Sequence, residues 1–169
     1  TSARLALSDV RLLPPVLPSK VIGIGKNYAD HAKEMGGAPP QTPITFLKPS
    51  TSVIGDGEAI VLPRQSSQVE HEAELAVVIG RMARDVPASR VSEVILGITC
   101  ANDVTARDLQ HADGQWTRAK SFDTFCPLGP WIVTDVDYDD LAVEAHVNGE
   151  LRQSGRTSQM VHSVSELVQ

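Results

Sequence analysis

The segment at residues 69–80, VEHEAELAVVIG, constrains this chain more than any other. Glutamates alternate with Val69, His71 and Ala73 over its first half, and its second half is apolar without interruption. A period of two belongs to a β-strand, and an uninterrupted apolar run belongs to a strand covered on both faces. The pattern predicts one strand running from a polar site into a buried sheet. Partners for it are legible elsewhere: residues 21–25, 44–47, 131–134 and 141–147 read as strands, and 91–100 as helix then strand. Asn148-Gly149 marks a hairpin, because that dipeptide accepts the positive φ of a type I′ turn. Residues 27–35 read as a short helix stopped by GGAPP at 36–40, and residues 103–110 as a helix with Asp103 near its start.

With 169 residues there is room for one domain. Pro14, Pro15 and Pro18 forbid regular helix, so residues 1–19 are expected as an extended arm and 20–169 as the body that carries the chemistry. The chain lacks an initiating Met and stops within an apolar-periodic stretch, so it reads as cut at both ends, with truncation at the C-terminus. Lys and Arg number 15 against 21 Asp and Glu, a net charge of -6, which offers no footprint for nucleic acid or an acidic membrane. No apolar run is long enough to span a bilayer. Two cysteines, Cys100 and Cys126, make no disulfide framework; both read as small buried hydrophobes, and the cytoplasm is the expected compartment.

Glu72 and Glu74 stand two apart on the predicted strand and so share a face. Like charges held that close need a cation or a raised pKa. With Asp103 they offer three hard oxygen donors suited to Mg²⁺, Mn²⁺ or Ca²⁺; the competing reading is a solvated edge strand. His31 and Glu34, three apart, share a helical face, where the carboxylate can orient the imidazole to take a proton from water; a plain surface pair is the alternative. Lys120, among the apolar residues of 116–122, can meet a carboxylate or oxyanion, or serve as an ordinary salt-bridging lysine. Gly23-x-Gly25 follows a strand, but Tyr28 stands where a dinucleotide fingerprint needs its third glycine. His71, His111, His146 and His162 read as surface or packing residues, with His71 facing away from Glu72.

Six segments in order, GIGKNYADHAKEMG (23–36), FLKPSTS (46–52), VEHEAELAVVIG (69–80), NDVTARDLQ (102–110), WTRAKSFDTFCPLGP (116–130) and VNGELRQSGRTSQM (147–160), resemble the fumarylacetoacetate hydrolase family, in particular its smaller acylpyruvase-like branch. The resemblance implies a mixed α/β, mainly β fold: a twisted β-roll with short helices. It implies Glu72, Glu74 and Asp103 as ligands of a divalent metal, usually Mg²⁺, with Mn²⁺ or Ca²⁺ as alternatives. It implies His31 and Glu34 as a catalytic dyad, Lys120 beside the substrate, and Arg107 and Gln110 lining the pocket, with Lys48 in the same shell. An additional acidic ligand of the larger animal hydrolases is replaced here by Ile24, so three protein ligands are expected. The family pattern continues into a Gly-Thr-Pro-x-Gly element that these 169 residues do not contain.

The reaction the resemblance implies is hydrolysis of a carbon–carbon bond in a small dioxo acid, an acylpyruvate or fumarylpyruvate, through a metal-stabilised pyruvate enolate. Isomerisation of a 2-hydroxyhepta-2,4-diene-1,7-dioate and decarboxylation of oxaloacetate use the same site. A homodimer is expected. The rival of another class is a non-catalytic remnant that binds metal or a partner.

Overall fold

The computed structural model describes residues 4–29 and 38–169 and is built mainly of strands, joined by short helices. Its organising element is an antiparallel ribbon. One side of it is β4 (Val69–Glu70) and β5 (Ala73–Ile79); the other is β6 (Ile95–Asn102) and β7 (Thr105–Ala106). Glu70 pairs with Thr105 and Ala73 with Asn102. The register is therefore the same on both sides of the gap, and Glu72 stands opposite Asp103. The backbone N–H of Asp103 donates to the Glu72 carbonyl at 2.9 Å across the break.

This corrects two expectations. The strand foreseen over residues 69–80 is divided at His71 and Glu72, where two carboxylates would otherwise face each other as a regular cross-strand pair, an arrangement that destabilises a ribbon. Asp103 is not near the start of a helix: it lies in the gap of the opposite side, and helix α1 begins only at Arg107, running to Asp113.

Two further strands complete the central sheet, β3 (Val53–Ile54) and β8 (Cys126–Val133), in the order β3-β8-β6-β5 with β3 parallel to β8. Strand β8 starts five residues before the run expected at 131–134. Strands β1 (Val21–Gly25) and β2 (Ile44–Lys48) form a separate antiparallel pair. Their glycines serve close packing: a Cβ at Gly23 would stand 2.2 Å from the Phe46 ring, and one at Gly25 would stand 2.3 Å from the Trp116 ring. Phe46 and Trp116 meet edge to face, with centroids 5.6 Å apart. The hairpin of β9 (Ala142–Val147) and β10 (Glu150–Arg156) turns at Asn148 and Gly149, with φ of 53° and 81°, as the dipeptide foretells.

The N-terminal arm lies against the body, close enough to Gly55 that a Cβ there would approach the Leu12 carbonyl oxygen to 2.8 Å. A single 3-10 turn at Leu7–Asp9 is its regular structure. Helix α2 (Thr117–Lys120) follows α1, and α3 (Val164–Val168) is opened by Ser163 and Glu166 in a capping box. Cys126 is buried as expected, whereas Cys100 is exposed on the outer face of β6, so the small-hydrophobe reading fails there. Among the described residues no helix is long and apolar enough to cross a membrane.

The core cluster is Val104, Ala106, Ala119 and Phe125, with Ile60, Val69, Leu109 and Phe122 packed against it. Truncating Phe125, which is fully buried, removes an aromatic ring from this cluster. Phe125→Ala is expected to cost about 3–5 kcal/mol in denaturant unfolding. A loss below about 1 kcal/mol would show that the cluster is not what holds the body together.

Candidate active site

Core and cleft are two faces of the same short segments. In residues 103–107 Val104 and Ala106 point into the core while Asp103, Thr105 and Arg107 point the other way; in α2, Ala119 packs inward and Lys120 reaches into the cleft. Alternation on the ribbon thus places charged groups against a rigid apolar backing.

Lys120 is the centre. Its ammonium, 2% exposed, donates to Glu72 Oε2 at 2.8 Å and to Asp103 Oδ2 at 2.5 Å, so it bridges the two carboxylates that the register sets face to face. It also lies 5.0 Å from the centroid of the Phe46 ring, within cation–π range. Lys48, equally buried, donates to the other Asp103 oxygen at 2.5 Å and to the Val104 carbonyl at 3.1 Å. Burial pushes the Lys48 ammonium down from its usual value, and the Asp103 charge opposes that shift. Arg107 donates to Glu72 Oε1 at 2.5 Å, to Glu70 at 2.8 Å and to the Gln110 side-chain oxygen at 2.5 Å.

Glu74 lines the same cleft, with no hydrogen bond to its carboxylate among the described residues. Burial raises its pKa, and the charges of Glu72 and Asp103 raise it further, to about 8. Burial also opposes ionisation of Glu72, but Lys120 and Arg107 outweigh it and hold that carboxyl below its ordinary range. The cleft joins Glu72, Glu74, Asp103, Gln110 and Lys120, and Trp116 forms part of its wall. Its free interior, about 20 Å³, has room for roughly one water. Lys48 and Arg107 stand immediately behind, through Asp103 and Glu72. His31 and Glu34 lie outside the described residues. Of the remaining histidines, His71, His111 and His146 are exposed, and the His162 ring nitrogen lies 3.1 Å from the Pro40 carbonyl oxygen.

Two contributors escape a reading of the sequence. Asn102 accepts the Glu72 N–H at 3.0 Å through its side-chain oxygen, replacing the strand pairing lost at the break. Tyr28, held by a backbone bridge to Met160, turns into the cleft a hydroxyl that is buried and has no partner among the described residues. Burial, then the Glu74 charge, raises its pKa to about 12, so it remains a donor. The Asn102 motif and the glycine-rich segment before Tyr28 were visible, but no spacing rule singles out either side chain.

The donor chemistry fits a divalent cation. Glu72, Glu74 and Asp103 line one cleft together with Lys26 and Lys120, and among the described residues the Glu74 carboxylate has no hydrogen-bond partner. Hard carboxylate oxygens suit Mg²⁺, Mn²⁺ or Ca²⁺. As the side chains stand, no three His, Cys, Asp or Glu among the described residues are close enough to share one ion, and Lys120 occupies the Glu72 and Asp103 oxygens that such an ion would take.

The model of the fumarylacetoacetate (FAA) hydrolase C-terminal family matches residues 20–169. The chain belongs to that family. It is 56% identical over 166 residues to a protein of Mycobacterium tuberculosis, covering 96% of this chain and 63% of that protein. The crystal structure of 5-carboxymethyl-2-hydroxymuconate delta-isomerase from Mycobacterium smegmatis superposes with a TM-score of 0.91 at 57% identity, over 99% of this chain and 67% of that one. The human mitochondrial oxaloacetate tautomerase FAHD2A is 45% identical over 170 residues, which cover 97% of this chain and 54% of its own. This chain thus spans less than two thirds of the Mycobacterium tuberculosis relative. The match upholds the mixed, mainly β fold that the motifs imply.

The raised pKa of Glu74 has a definite sign in folding. Its folded value, about 8, lies above the ordinary 4.5, so folding holds a proton there; the stability it gives is complete below about pH 4.5 and is lost as pH rises towards 8. In chelator, stability is expected to fall across this window by of order 1 kcal/mol per pH unit, and Glu74→Gln is expected to flatten the slope. Thermal unfolding at stepped pH measures it; equal slopes in the two proteins would remove Glu74 as the cause.

Proposed function

We propose that the protein acts on the enol or enolate of a small 2-oxo dicarboxylic acid, moving a proton between carbon and oxygen in a reaction of the isomerase or tautomerase kind. The observation that carries this reading is the almost solvent-free Lys120 ammonium, held between Glu72 and Asp103 at the cleft. A pre-oriented cation in a dry site stabilises an oxyanion far better than one in water, because it need not reorganise as charge develops. The names of two relatives, a 5-carboxymethyl-2-hydroxymuconate delta-isomerase and an oxaloacetate tautomerase, support the same choice.

Each residue has a role in this reading. Lys120 donates to the developing enolate oxygen. Lys48 holds Asp103, and Arg107 with Gln110 orients Glu72 and offers donors to a substrate carboxylate. His31 and Glu34, assigned from the sequence motif alone, would carry the proton. Glu72, Glu74 and Asp103 would hold the divalent cation, which when bound supplies Lewis-acid polarisation of adjacent substrate oxygens.

Hydrolysis of an acylpyruvate is the second reading, favoured by the His31-x-x-Glu34 spacing, because such a pair can activate water. Products separate the two. The full-length gene product with Mg²⁺ is expected to change the enol absorbance of oxaloacetate or a hydroxymuconate diacid without releasing pyruvate, and chelator is expected to abolish the change. Pyruvate from acetylpyruvate or fumarylpyruvate would establish hydrolysis instead, pyruvate from oxaloacetate alone would mean decarboxylation, and silence on all four would favour the non-catalytic remnant.

Lys120→Met is expected to lower the rate by about 10²-fold or more. Wild-type turnover in that variant would discard Lys120 as the oxyanion donor.

A further inference from the structure

Strand β5 is the edge of the central sheet, and Ala73, its first residue, lies between Glu72 and Glu74. The Ala73 N–H donates to the side-chain oxygen of Gln153 at 2.8 Å, and the Gln153 side-chain nitrogen donates to the Ala73 carbonyl at 2.8 Å. A carboxamide presents one donor and one acceptor in the geometry of a peptide group, so a single side chain here takes the place of a neighbouring strand. A carboxylate accepts only, an ammonium donates only, and asparagine is one methylene shorter.

Gln153 comes to this position because the pairing of β9 and β10 shifts register between Leu151 and Gln153. Such an irregularity re-aims a side chain.

The other side of the same dipeptide is also held: Asn102 accepts the Glu72 N–H at 3.0 Å, and the Asp103 N–H donates to the Glu72 carbonyl at 2.9 Å. All four polar groups of the Glu72-Ala73 backbone therefore have partners at the point where the ribbon breaks. Two of those partners belong to one residue of a different hairpin.

We propose that Gln153 is a positioning residue that fixes the backbone from which Glu72 and Glu74 project, and so sets the affinity of these carboxylates for a divalent cation. The inference rests on the reading of Glu72, Glu74 and Asp103 as ligands. Glu72 and Glu74 repel one another once both are ionised, as ligands of a cation would be; a backbone released on its outer side can turn them apart, whereas the Gln153 clamp resists that motion. Partners that orient metal ligands typically change affinity by about 10–100-fold when removed.

The test is Mg²⁺ titration calorimetry on the full-length gene product, with unfolding midpoints measured alongside. Gln153→Met keeps length and removes both hydrogen bonds; Gln153→Asn keeps the amide but shortens it. Gly149→Ala strains the hairpin turn, where φ is 81°, and leaves Gln153 intact. Mg²⁺ affinity is expected to fall about 10–100-fold in Gln153→Met and by less in Gln153→Asn, and to stay unchanged in Gly149→Ala although that variant is less stable.

Affinity within about twofold of wild type in Gln153→Met, or in Gln153→Asn should the Met variant not fold, overturns the proposal. So does a Gly149→Ala protein whose affinity falls as far as that of the Gln153 variants, since the hairpin as a whole would then be responsible. A wild-type protein that binds neither Mg²⁺ nor Mn²⁺ overturns the carboxylate reading and this inference with it, whereas wild-type binding that survives loss of the Gln153 amide overturns this inference alone.

Discussion

Glu72 and Asp103 face each other across an antiparallel ribbon, and the surrounding structure answers the cost of that placement. Two carboxylates in direct cross-strand opposition repel, and partial burial makes the repulsion worse. The ribbon opens at that point, Asn102 takes up a backbone N–H left over, and the Lys120 ammonium enters between the carboxylates. Lys48 and Arg107 occupy the oxygens that Lys120 leaves. Remove the cations and the ribbon would carry uncompensated charge next to its core; remove the carboxylates and two nearly buried lysines would lose their partners. Such a network supplies stability only when complete. Its members are thereby held in one geometry, which is what a site for an anionic transition state requires.

The position of Lys120 depends in turn on two glycines far from it in sequence. Phe46 lies beneath the ammonium and Trp116 leans on Phe46, and both rings fit only because Gly23 and Gly25 carry no Cβ. The Gly-x-Gly element that resembles half of a dinucleotide fingerprint is thus a seat for aromatic rings. On the opposite side, Val104, Ala106 and Ala119 alternate along the chain with Asp103, Thr105, Arg107 and Lys120. Core and cleft cannot be adjusted independently, since shifting one member of an alternating pair moves the other.

Legibility in the sequence followed the range of the interaction. Local periodicity was enough to put Glu72 and Glu74 on one face, and the Asn148-Gly149 dipeptide was enough for the hairpin. Register is a property of two strands, so the opposition of Glu72 and Asp103, and with it the break at His71 and Glu72, could not be read from either strand alone. Asp103 imitates a helix start because Asp is a favoured N-cap residue; the Thr105 hydroxyl instead donates to the Asp103 carbonyl at 2.9 Å, a local bond that suits extended backbone. Cys100 belongs to an apolar run, yet alternation places its side chain on the exposed face of β6. The motif order named candidate site residues where spacing left alternatives open.

Charge balance links the resting arrangement to reactivity. Glu72, Glu74 and Asp103 share the cleft with Lys26 and Lys120, while Lys48 and Arg107 stand behind it on Asp103 and Glu72. On the enolate reading, a substrate oxygen entering the cleft would meet the Lys120 ammonium already held by Glu72 and Asp103. An ammonium carries three donors and these carboxylates take two, so among the described residues one N–H is left that would serve the substrate oxygen without giving up either partner. A divalent ion, if held by Glu72, Glu74 and Asp103 as proposed, would bring positive charge to these carboxylates and lower the cost of ionising Glu74. The burial and repulsion that oppose ionisation of Glu74 are thus what such a cation would offset.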